Sequence, residues 1–140
     1  MYCNLTDLTR RLAAEHVVAL ADDDGDGVAD AGPIEAAIAD ADAEIDARLA
    51  PRYRTPFDPA PAVVRSLSAT LAIARLYARR REALPEDFRE TLAAARRLLD
   101  DLAAGRAEIR EAGRSFGRAV SDSTVRGEER LFDRPNLELF

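Results

Sequence analysis

The chain has 140 residues and a mass of 15.3 kDa, a size for one domain. Alanine supplies 28 residues, while Leu, Ile, Val and Phe together supply 33, about 24% of the chain and above the ~20% level below which chains stay disordered. All 20 basic residues are arginine and the formal net charge is −6, a balance that argues against a protein gripping nucleic-acid phosphates.

The single cysteine, Cys3, excludes an intramolecular disulfide framework and any multi-cysteine metal site. The longest apolar run, residues 17–21, is far short of the ~20 residues that cross a bilayer. The first residues also carry no signal-peptide core, so a soluble, non-secreted chain without a membrane partner is expected.

Residues 5–20 place Leu5, Leu8, Leu12 and then Val17 to Leu20 at apolar positions, which predicts a first helix. Asn4 or Thr6 can cap it, and Asp7 suits the positive end of the dipole. An acidic loop over residues 21–32 follows, and Pro33 suits a first helical turn. From there Ile34, Ile38, Ala41, Ile45 and Leu49 share one face of a second helix, which Pro51 ends. Asp40, Asp42, Glu44 and Asp46 are expected mostly on its solvent surface.

Residues 51–61 hold four prolines and cannot be a helix interior, so they read as a stiff extended connection. A third helix is predicted from about Pro61 to Arg81, with Val64, Leu67, Leu71, Ala74 and Ala78 on one face. Val63, Ile73, Leu76 and Tyr77 widen that face, which makes this helix the central one. Pro85 opens a fourth helix with Glu86 and Asp87 in its first turn. Its stripe is Phe88, Leu92, Ala95, Leu99 and Leu102, and Gly105 terminates it. The fold class expected is therefore all-α: a small four-helix bundle over residues 1–112 with an extended C-terminal arm over residues 113–140.

Gly113, Gly117, Gly127 and Pro135 interrupt that last stretch, yet it carries Phe116, Leu131, Phe132, Leu137, Leu139 and Phe140. Ordinary linkers lack such side chains. Two readings stand: a short hairpin folded back on the bundle, or an arm whose aromatic and leucine residues dock on another subunit.

One motif carries a mechanism of its own. Asp22, Asp24 and Asp26 occupy positions 1, 3 and 5 of an EF-hand-like loop, Gly27 position 6, the Val28 carbonyl position 7 and Asp30 position 9. Position 12 is Pro33 instead of the bidentate glutamate, and Glu35 is the next acid. The candidate ligands are thus Asp22, Asp24, Asp26, Val28, Asp30 and Glu35, for a structural calcium ion. The plain alternative is an Asp/Gly-rich turn leading into the second helix.

His16, the only histidine, reads as a surface or helix-terminal residue, and Cys3 as a small buried one. The sequence has neither a glycine-rich phosphate loop nor an HExxH motif, and no catalytic residue is assigned. Arg75, Arg79, Arg80 and Arg81 cluster where the third helix ends, which its dipole favours. Arg96 and Arg97 are expected in solvent opposite the leucine stripe. Arg52 and Arg54, flanking Tyr53, are candidates to meet acidic surfaces of a neighbouring subunit.

Several stretches taken together carry a resemblance: the opening from Met1 to Leu8, the acidic loop, the run from Ile34 to Leu49 with its Ala-Asp-Ala-x-x-Glu-Ile-Asp pattern, Tyr53 with Pro56, the helix from Val63 to Tyr77, and the ending from Glu129 to Phe140. Along nearly its whole length the chain resembles the small proteins of the morphogenesis clusters of Mu-like phages and prophages. That family is similar, in turn, to the head-to-tail connector (adaptor) proteins of long-tailed phages.

The resemblance implies a non-enzymatic virion protein. Adaptor subunits of this type form a homo-oligomeric ring, commonly dodecameric, below the portal protein in the virion neck, after assembly in the host cytoplasm. DNA passes through the channel without specific binding, and head-closure or tail proteins are further partners. Phe116, Leu131, Phe132, Leu137, Leu139 and Phe140 would then be the anchors for portal and subunit contacts. The acidic balance suits a channel wall along which DNA slides. Two other readings are a calcium-binding helical regulatory module and another neck component, such as a head-closure or tail-completion protein.

Overall fold

The computed structural model describes residues 1–111 and Phe116. Five helices account for most of them: α1 (Leu5–Thr9), α2 (Ala14–Ala21), α3 (Ala31–Leu49), α4 (Ala62–Arg80) and α5 (Glu86–Ala104). The described residues form no strand, and none of their helices is long and apolar enough to cross a membrane. The chain is all-α, as its apolar spacing predicts.

The first expected helix is in fact two. Leu8 and Val17 are both buried, yet they are nine residues apart, which at about 100° per residue would set them on opposite sides of a continuous helix. Breaking the helix between Thr9 and Ala14 turns both toward the interior. A reciprocal capping box starts α1: the Asn4 side chain accepts from the Asp7 N–H, and the Asp7 carboxylate accepts from the Asn4 N–H.

The remaining boundaries follow the punctuation. Pro33 lies in the first turn of α3, where its missing N–H removes no helical bond. Pro61 and Pro85 stand immediately before α4 and α5. α5 ends at Gly105, whose φ of 83° is the left-handed conformation a C-cap needs. The Arg52 guanidinium closes over this glycine, so a Cβ there would sit 2.8 Å from Arg52 Cζ.

α4 packs against α1, α2, α3 and α5, which makes it the central helix. Its buried residues run from Val64 and Leu67 to Leu76 and Tyr77 and include the polar Ser68 and Thr70. α3 buries Ile34, Ala37, Ile38, Ala41, Ile45 and Leu49, the stripe read from the sequence plus Ala37. α5 buries Leu92, Leu99 and Leu102, with Phe88 and Ala95 half-buried.

The connection over residues 51–61 belongs to the core more than its prolines suggest. Tyr53 and Phe57 are buried, and Phe57 meets Tyr2 and Phe116 edge-on, with ring centroids 5.9 and 6.0 Å apart. The peptide bonds before Pro56 and Pro59 are cis. The chain beyond α5 returns along this connection. The Ile109 N–H donates to Tyr53 Oη at 3.3 Å, the Ala62 N–H to Glu111 Oε1 at 2.8 Å, and the Arg54 N–H to the Phe116 carbonyl at 3.1 Å.

Candidate functional site

Two neighbouring features stand out at the end of the bundle formed by α1, the loop after α2, and the start of α3: an acidic loop and an apolar groove.

The loop is wound around one carboxylate. Asp22 Oδ1 accepts from the Gly25 N–H at 2.8 Å, and its Oδ2 accepts from the Gly27 N–H at 2.9 Å. Gly25 and Gly27 both have positive φ, 77° and 84°, conformations that side-chain-bearing residues rarely adopt. The Asp30 carboxylate accepts from the Asp23 N–H at 2.8 Å, and the Asp30 N–H donates to the Ala21 carbonyl at 3.0 Å, which closes the loop at its base.

The Gly27 and Gly25 N–H groups hold the Asp22 carboxyl below its ordinary value. For Asp24 the Asp26 N–H pulls downward, but the hydrogen bond to Asp22, burial and the Asp26 charge push the carboxyl upward overall.

Carboxylate oxygens of Asp22, Asp24 and Asp30 all lie within 4.8 Å of one another, the distance over which a single cation bridges oxygen ligands. The Asp26 and Glu35 carboxylates are not part of this cluster. Asp26 Oδ1 accepts from the Val28 N–H at 2.9 Å, and Glu35 instead lines the adjoining groove. Val28 is exposed at the loop surface.

Arginines from α4 hold the loop from behind. Arg80 donates from Nε to the Leu20 carbonyl at 3.1 Å and from a terminal nitrogen to the Asp22 carbonyl at 2.6 Å. Arg79 also reaches the Leu20 carbonyl, and both arginines pair with Asp23. These side chains thus satisfy the carbonyls at the end of α2 as well as suiting the C-terminus of their own helix. Arg75 pairs at 2.7 Å with Glu44 on α3, and Arg96 comes within 4.0 Å of the same carboxylate rather than standing alone in solvent.

The groove lies beside the loop. Ile34 and Ile38 of α3 form its floor, Met1 and Leu5 one wall, and Ala29 and Ala31 the other, enclosing about 220 Å³. Met1 is 71% exposed, Leu5 43% and Val28 63%. With Leu98, these are the large apolar side chains that stand exposed among the described residues.

Tyr2 and Cys3 are fastened to α3 and α4 by a network that sequence reading did not find. The Tyr2 N–H donates to Asp42 Oδ2 at 2.9 Å, and Tyr2 Oη donates to Asp46 and accepts from the Phe57 N–H at 3.0 Å. Ser68 Oγ lies 2.6 Å from Asp42 Oδ1 and 3.2 Å from the buried Cys3 sulfur. Asp42 and Asp46 are half-buried and engaged, a correction to the solvent face expected for them. Burial, with the Asp46 hydrogen bond second, pushes the Tyr2 hydroxyl well above the usual tyrosine range. Burial likewise pushes the Cys3 thiol upward. His16 is exposed on α2, as expected.

Of the proposed arm anchors, Phe116 is half-buried against Phe57 of its own chain. Leu131, Phe132, Leu137, Leu139 and Phe140 lie outside the described residues, as does the expected boundary between residues 112 and 113.

A helical body with this N-terminal latch and acidic loop can be compared with known families. The family model described as bacteriophage Mu, Gp36 matches residues 2–122. The chain belongs to that family. It is a phage protein, and the family suggests a structural or morphogenetic part in the virus. The match spans all five helices, the acidic loop and Phe116, and it ends before Leu131. No curated protein matches the chain.

Proposed function

We propose that this chain is the subunit of a head-to-tail adaptor: a ring, dodecameric by analogy, that sits below the portal protein in the virion neck and passes DNA between head and tail. No reaction is assigned to it. Membership in a Mu phage family supports the viral setting. The observation that carries the finer reading is the pairing of a closed helical body with a C-terminal sequence that packs Leu131, Phe132, Leu137, Leu139 and Phe140 into ten residues. Such a density of large apolar side chains suits an anchor that a partner surface covers. Phe116, the described residue nearest that segment, packs on Phe57 of the bundle.

Mass photometry of the full chain, alone and with a portal protein, tests the proposal. Discrete high-order species on the portal are expected. Their absence, with the chain remaining a monomer beside an intact portal, overturns the adaptor reading. A chain lacking residues 127–140 is expected to keep its helical spectrum and fail to enter particles. Normal occupancy would remove the arm from the anchoring role.

A calcium ion held in the acidic loop is a second reading, favoured by the convergence of Asp22, Asp24 and Asp30. It would be structural, relieving carboxylate repulsion at the start of α3. Calorimetric titration of calcium into chelator-treated protein is expected to show binding together with a raised Tm. Neither heat nor thermal shift at millimolar calcium ends this reading.

A further inference from the structure

We propose that the groove between α1 and α3 receives residues 131–140 of a neighbouring copy of this chain. The inference rests on the ring reading above and names the receiving surface for it.

Size and chemistry fit first. The groove has an isoleucine floor, apolar walls and about 220 Å³, room for one aromatic ring and a leucine side chain. An aromatic side chain buries ~150–250 Å² in such a site, and a well-filled pocket of this kind dominates the energy of an interface. Met1 and Leu5, which line it, leave apolar surface in water, a concentration that marks an interaction site when it sits on one face.

Reach and symmetry indicate a neighbouring copy. Phe116 is fixed on Phe57, and the fifteen residues from there to Leu131 extend to at most ~50 Å. A helical body of about 100 residues has a radius of gyration of ~13 Å, so an adjacent subunit lies within range. Groove and occupant are different surfaces, so their pairing is head-to-tail. Head-to-tail contacts generate rings when the rotation closes.

The test uses the full chain assembled with a portal protein. One population is 15N-labelled and carries p-benzoylphenylalanine in place of Phe132, and the other is unlabelled wild type. After irradiation, cross-linked peptides are expected to join the labelled position 132 to unlabelled residues 1–38. Leu5→Arg in the unlabelled copy is expected to cut that yield about tenfold without changing Tm. Ala31→Arg, on the opposite wall, serves as a second variant should α1 be disturbed. Cross-links confined to the labelled chain, or to the portal alone, overturn the inference, as does an unchanged yield in both variants.

Ring formation, followed by mass photometry in the same samples, separates the two levels. Wild-type rings without cross-links to residues 1–38 reject the groove and leave the adaptor standing. Wild-type protein that forms no ring on the portal rejects the adaptor, and the groove proposal falls with it.

Discussion

The two halves of α3 use the same kind of side chain for different ends. Toward its C-terminus, Ile45 and Leu49 are fully buried in the bundle, and the acids between and before them are engaged by Tyr2, Ser68 and Arg75. Toward its N-terminus, Ile34 and Ile38 are the floor of a groove whose walls remain in water. An isoleucine stripe alone does not distinguish core from binding surface. What differs is what the rest of the chain lays over it: Ile34 and Ile38 are buried too, but Met1 and Leu5, which line the groove with them, stay 71% and 43% exposed.

The largest test of that contrast is Ile45→Ala. Removing three buried carbons from a fully enclosed position is expected to destabilise the fold by about 2–5 kcal/mol, measured by urea unfolding followed by circular dichroism. A loss below 1 kcal/mol would show that this half of α3 is no more tightly packed than the other.

Tyr2→Phe comes next. It leaves Asp46 and the buried Phe57 N–H without the hydroxyl that joins them, a loss of about 1–3 kcal/mol. It also has a pH signature. The folded state holds the Tyr2 proton more tightly than the unfolded chain, so this contribution is complete below about 10, the ordinary tyrosine pKa, and is lost as pH rises beyond it. Wild type is therefore expected to lose stability above pH 10 more steeply than the variant. Parallel alkaline curves would remove Tyr2 from the latch.

The smallest effect on folding is expected at the groove. Leu5→Arg touches a side chain already 43% exposed and should shift stability by no more than about 0.5 kcal/mol. A large loss of Tm would place Leu5 in the core and close the contrast between the two halves of α3.

Periodicity and punctuation made α3, α4 and α5 legible from the residues alone. Their stripes of Ile, Leu and Ala, with Pro33, Pro61, Pro85 and Gly105 as boundaries, lie where the structure has them. The acidic loop was legible as an oxygen-rich turn, but its membership was not. Hydrogen bonds to nearby N–H groups draw Asp22, Asp24 and Asp30 together and turn Asp26 toward Val28, a choice that ligand spacing does not encode. The nine-residue interval from Leu8 to Val17 carried a signal for the break between α1 and α2, because the two cannot share a face of one helix.

The sequence by itself therefore determined the helical class, the positions of the three long helices and their buried faces, since these depend on contacts a few residues apart. Tertiary structure decided where Tyr2, Tyr53 and Phe57 go, which aspartates are engaged, and which arginines hold the acidic loop. Those outcomes join residues some 26 to 60 positions apart. A tyrosine in a proline-rich stretch, or an aspartate on a polar face, looks the same in sequence whether water or a distant side chain meets it. Only packing brings the second partner within hydrogen-bonding distance.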